Sequence, residues 1–127
     1  MTAANDVRDL LKNSSDVTSC IPSANIKSYN LPKELVDKTD ENVALITEVS
    51  NSFNQFASDH ATGRHPIVEV QVWFNDSANI DEIQDAINIT MENNYWYCYQ
   101  DYGVVPDPDT QQLFWTIEYT KNVLRRK

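Results

Sequence analysis

Glycine is nearly absent: only Gly63 and Gly103 occur in 127 residues. A loop that wraps phosphate in backbone N–H groups needs several glycines close together, so neither a P-loop nor a dinucleotide-binding turn can be written here. Cysteine is equally scarce. Cys20 and Cys98 stand far apart, with no C-x-x-C pair and no Cys/His cluster. That removes the common zinc and redox motifs and leaves two free, mostly buried thiols as the expectation. No apolar run approaches the roughly 20 residues of a membrane helix. The best run, Val43, Ala44, Leu45 and Ile46, is strand-sized. The first ten residues carry acids where an export signal needs a basic and then an apolar stretch, so a soluble cytoplasmic chain is expected. Without an export route the sequons at Asn13, Asn75 and Asn88 carry no meaning.

Positive charge is the next scarcity. Ten Lys and Arg face nineteen Asp and Glu, a formal net charge of -9. Four of the ten bases fall in 121–127 (Lys121, Arg125, Arg126, Lys127), which leaves -13 on the preceding chain. Such a body repels nucleic acid at long range, so sequence-specific nucleic-acid binding is not expected. The basic C-terminal tail 122–127 suits either an acidic partner or plain solvation.

What is present is patterned. At 127 residues and 41% apolar content the chain is expected to form a single domain over 1–127 with one core. Residues 4–12 read as a helix carrying Val7, Leu10 and Leu11 on one side, with Asn5 able to cap it. Residues 17–29 read as irregular, with Cys20, Ile21 and Ile26 as buried points and a short strand near 25–29. Pro32 makes 31–35 a loop. Residues 43–49 alternate as a strand. Residues 50–65 are polar and read as an exposed loop. Residues 67–74 are the strongest strand: Val68, Val70, Val72 and Phe74 point to the core, and Ile67, Glu69, Gln71 and Trp73 point away. Asn79 and Glu82 form a capping box that opens a helix to about Asn93. Its buried stripe is Ile80, Ile83, Ala86, Ile87 and Met91, and the two asparagines that follow suit a left-handed stop. Strands over 95–102 and 113–121, joined through 103–112, complete the chain. The expected fold is α+β: a mainly antiparallel sheet of about four to five strands with two principal helices on one face.

Catalytic chemistry is hard to assemble from these residues. Asp107 and Asp109 lack the further ligands, glycine and closing glutamate of a calcium loop. With Pro106 and Pro108 they read as turn residues. His60 and His65 near Asp59 fall short of a zinc ligand set. Glu69 and Glu118 come from strands that could be neighbours, but outward charges on an amphipathic sheet are commoner than acid–base pairs. No catalytic residue, cofactor or metal is expected, and an enzyme is the least favoured class. The aromatic residues are the more telling feature. In the run from Tyr95 to Tyr99, three tyrosines share one strand face while Trp96 and Cys98 take the other. Both sets cannot enter one core, so a subunit interface is in view.

The order of elements resembles a known family. The Leu31–Pro32 loop, the strand Val43-Ala-Leu-Ile-Thr-Glu-Val49, the strand Val68-Glu-Val-Gln-Val-Trp-Phe74, the tyrosine-rich strand and Asp107-Pro-Asp-Thr110 before Thr116-Ile-Glu-Tyr-Thr120 are together similar to tail-terminator and tail-completion proteins, minor tail components of siphophages of Gram-positive bacteria. The resemblance implies a structural virion protein assembled in the host cytoplasm: a homo-oligomeric ring, typically a hexamer, between the tail tube protein and the head–tail connector proteins. DNA would pass through its lumen. A ring needs two different patches per subunit. The outer sheet face with Glu69, Gln71 and Trp73, and the polar stretch with Phe53, Phe56 and Arg64, are the expected interface residues. The alternative from charge alone is a small acidic inhibitor, a DNA mimic that blocks a nucleic-acid-binding enzyme.

Overall fold

The computed structural model describes residues 2–53, 63–121 and 123–124, with side chains over 2–49 and 66–121. Strand β3 (Gly63–Trp73) organises the molecule. It pairs antiparallel with β2 (Val43–Phe53) on one side and with β5 (Leu113–Thr120) on the other. The order is β1-β2-β3-β5-β4, with β1 (Ile26–Ser28) parallel to β2 and β4 (Tyr97–Pro106) antiparallel to β5. The two-residue β6 (Val123–Leu124) pairs with the start of β3. Pro66 lies between the residues of β3 that meet β6 and those that meet β5. A residue without an N–H is tolerated where a ladder changes partner. The expected class, α+β with a mainly antiparallel sheet, is therefore the observed one.

Two helices cover the inner face of the sheet, α1 (Ala3–Lys12) and the 14-residue helix Ile80–Asn93, named α4 after two one-turn helices, α2 (Ser15–Thr18) and α3 (Lys33–Val36). Val7 and Leu11 of α1 and Ile83, Ile87 and Met91 of α4 meet Ala44, Ile46, Val68, Val70, Val72, Trp115 and Ile117 in one buried cluster. The alternation read for 67–74 holds, with Val68, Val70, Val72 and Phe74 all buried. Asn79 caps α4 by accepting from the Glu82 N–H at 3.1 Å. No helix among the described residues is long and apolar enough to cross a membrane.

Several boundaries differ from the sequence expectation, each for a local reason. The cap of α1 is Thr2, whose hydroxyl accepts from the Asn5 N–H, and not Asn5 itself. Ser14 caps α2 and its hydroxyl lies 3.0 Å from Thr90 Oγ1, tying α2 to α4. The expected exposed loop 50–65 is in part paired strand: Ser50 to Phe53 register with Ile67 to Arg64 after a bulge at Val49. Polar composition hid this, because backbone pairing in a hairpin arm needs no apolar face. Residues 54–62 lie outside the described residues. At the end of α4, Tyr95 and not an asparagine is left-handed, with φ at 68°. Trp96 N–H reaches Met91 C=O at 2.9 Å and Tyr95 N–H reaches Glu92 C=O at 3.1 Å, which is a Schellman stop. Gly103, with φ at 79°, sits in a bulge of β4 and not in the turn to β5. Asp101 fixes that bulge by accepting from the Gly103 N–H at 2.8 Å and from the Trp115 indole at 2.9 Å.

The central position of Val70 gives a direct check. Val70→Asp places a carboxylate without a partner in a fully buried site, at a cost of several kcal/mol. The cooperative thermal melt should be lost. A variant that melts like the parent would show that the register is displaced.

Candidate functional site

The outer face of the sheet carries Glu69, Gln71 and Trp73 side by side, as their spacing implied. Cross-strand register sets Glu69 opposite Glu118, Gln71 opposite Thr116 and Trp73 opposite Phe114. The two rings stack with centroids 5.9 Å apart and planes at 14°. Phe53 and Arg64 pair with each other in backbone register near the start of β3. Nine strand steps put Arg64 about 30 Å from Trp73, so the expected interface residues form a strip and not one patch. Phe56 lies outside the described residues, as do His60 and the side chain of His65.

Glu118 is buried although it points to the outer face. The Tyr102 hydroxyl donates to Glu118 Oε2 at 3.2 Å. Glu69 sits above the usual carboxylate range, first because of partial burial and then because Glu118 faces it. This pair was legible in the sequence as a possibility of neighbouring strands; its tyrosine partner was not. Among the described residues no group of three or more His, Cys, Asp or Glu side chains could hold a metal ion.

At the Trp73 end, the turn from β4 to β5 closes against α3. Asp107 Oδ1 accepts from the Asp109 N–H at 2.8 Å, and its Oδ2 accepts from the Trp73 indole at 3.0 Å. These two bonds, the backbone one first, hold the Asp107 carboxyl below its usual range. The turn role read for Asp107 is thus observed, with the indole as an added partner. Leu31, Leu35, Val36, Val43 and Trp73 line a hollow of about 120 Å³ together with Asp107, Asp109, Thr110 and Gln112.

The far edge of the sheet is β4, with β5 as its one neighbour among the described strands. Tyr97, Tyr99 and Tyr102 are 52%, 58% and 54% exposed, and Tyr95 just before the strand is 68% exposed. Val105 and Leu113 continue this exposed surface. Trp96 takes the other side of the chain and is buried beneath α4, with the Lys121 ammonium 5.6 Å from its ring centre. Cys98 is exposed and Cys20 half-buried, so the expectation of mostly buried thiols fails at Cys98, which lies on the outermost strand of the sheet opposite Tyr119.

Two measurements follow from this geometry. Ionised Glu69 costs stability at neutral pH, because its folded carboxyl holds a proton more readily than the unfolded one. The cost is full above the folded pKa and vanishes as pH falls below the ordinary glutamate value of about 4.3. Glu69→Gln should raise thermal stability at pH 7 by up to roughly 1 kcal/mol, the scale of directly opposed like charges, and the gain should fade near pH 4. An unchanged or lower Tm at pH 7 would contradict the pairing. Asp107→Asn should cost about 1 kcal/mol in urea unfolding, since the amide offers one acceptor where two are used. No loss would show that the indole and the turn do not depend on that carboxylate.

No curated protein matches the chain. Residues 4–124 match the family described as a protein of unknown function, DUF806. That span takes in all but the first residue of α1, the whole of α4, the six described strands, the Glu69–Glu118 pair and the tyrosine edge, and the chain belongs to this family.

Proposed function

We propose that the chain is a structural subunit that assembles with copies of itself, as a ring-forming tail-terminator or tail-completion protein at the head–tail junction of a siphophage. Its neighbours in this reading are the tail tube protein and the connector proteins. The observation that carries the self-assembly is the row of exposed tyrosines on β4, which has β5 as its one neighbour among the described strands. Tyrosine is enriched at protein interfaces, and a long unpaired edge strand is a hazard for a chain that stays alone. Tyr95 adds a separate argument. A left-handed backbone costs a non-glycine residue about 1 kcal/mol or more, and the Tyr95 side chain is too exposed to return that through the core. A residue unfavourable for the monomer yet placed in an exposed aromatic row fits a surface used in assembly. The order of strands, helix and aromatic hairpin that resembles the tail-terminator proteins supports the setting in the virion.

Tyr97→Ser combined with Tyr99→Ser removes two exposed rings and should leave the monomer melt within about 0.5 kcal/mol. Sedimentation velocity should show loss of the larger species. Electron microscopy of lysates should show defective tails when the same variant replaces the gene in the genome that carries it. Normal assembly by the double variant would remove the edge from the interface. Normal tails after disruption of the whole gene would remove the tail reading itself.

A further inference from the structure

The hollow beside Trp73 and the pair Val123 and Leu124, which precedes the bases 125–127 in sequence, lie at opposite ends of the sheet. Trp73 closes β3 at one end, whereas Val123 and Leu124 pair with Arg64 and Gly63 at the other. About nine strand steps separate these ends, roughly 30 Å. Residues 125–127, even fully extended, add only about 10 Å beyond Leu124. The three bases Arg125, Arg126 and Lys127 therefore cannot reach the hollow of their own chain.

The hollow suits such a segment. At about 120 Å³ it is well below the roughly 300 Å³ of a drug-sized ligand site, but it can take one aliphatic stem. Leu31, Leu35, Val43 and Trp73 offer apolar surface to that stem, and Asp107 and Asp109, which also line the hollow, offer carboxylates to a cationic head. Arginine and lysine side chains have this division between stem and head. The two ion pairs among the described residues, Arg8–Asp9 and Lys38–Glu41, involve neither of these aspartates. The only run of the sequence that joins apolar residues to clustered bases is Val123-Leu-Arg-Arg-Lys127.

We infer that copies of this chain join head to tail, with one basic side chain of 125–127 of one copy seated in the Trp73 hollow of the next and the other bases of that segment beside its aspartates. The inference rests on the self-assembly reading and names a second contact for it. A contact between two different patches is heterologous, so it repeats in one direction and gives a ring if the rotation closes. The acidic body and the basic segment supply the complementary charge that fixes this direction.

Charge exchange tests the contact. Asp109→Lys leaves the turn intact, because Asp109 contributes its backbone N–H and not its carboxylate to the Asp107 bond. Asp109→Lys alone, or Arg125→Glu with Arg126→Glu, should abolish the larger species in sedimentation equilibrium. The combination of all three should restore them, and added salt should weaken the wild-type assembly. If the protein is a monomer alone, a synthetic peptide of residues 121–127 should perturb the tryptophan fluorescence of the wild type and not of Asp109→Lys. Assembly that survives both single-sided reversals would overturn this contact while leaving self-assembly standing. A monomer that fails to bind the peptide would overturn it too. The disrupted-gene experiment decides the tail reading separately.

Discussion

The inner face of β3 is the constraint on which the other elements depend. Val68, Val70 and Val72 are fully buried, and their strand has a neighbour on each side. The β-branched residues fit the pleated surface, and their burial drives α1 and α4 onto it. Everything on the outer face inherits its position from this choice. Because side chains alternate, fixing Val70 inward fixes Glu69 and Gln71 outward. The same register places Glu118 opposite Glu69, so the acidic pair is a consequence of core packing and not a separate design.

Polar anchors then hold the aromatic residues at both ends of the sheet. The Trp73 indole donates to Asp107, the Trp115 indole to Asp101, and the Tyr119 hydroxyl to Asn88 on α4. Each bond satisfies a polar atom of a large side chain that packing would otherwise strip of water. Tyr119 is fully buried, and desolvation pushes its hydroxyl far above the ordinary tyrosine value, so it stays a neutral donor. Among the described residues, Tyr97 and Tyr99 of β4 have no such anchor, whereas Tyr102 donates to Glu118. This contrast separates the aromatics that hold the fold from those available to another chain.

How far the sequence could be read depends on whether a period persists. β3 and α4 were legible because alternation in one and a capped helical stripe in the other run without interruption. Val49 and the residues around Gly103 break the period of two, so β2 looked shorter than it is and β4 seemed to end at its bulge. The short helices α2 and α3 have too few turns to show a stripe. Of the outer face, Glu69, Gln71 and Trp73 followed from parity alone. The hollow beside Trp73 did not, because it needs α3 where proline suggested only a loop. Tyr95 was legible as an aromatic residue but not as the left-handed stop, since asparagines stand just before it and tyrosine is a poor choice for that conformation.

The strand order has a consequence for how the chain is made. β5 lies between β3 and β4 in space, yet it follows both in sequence. While ribosomes are still adding residues after β4, the second edge of β3 has no partner, and β4 has nothing to pair with. Trp115, Ile117 and Tyr119, which complete the core, arrive in the last stretch of the sheet. Stable folding must therefore await β5, and the nascent chain exposes an apolar strand edge until then. A chain ended before Leu113 would keep its helices and the β2–β3 hairpin but lack the strand that joins the two halves of the sheet.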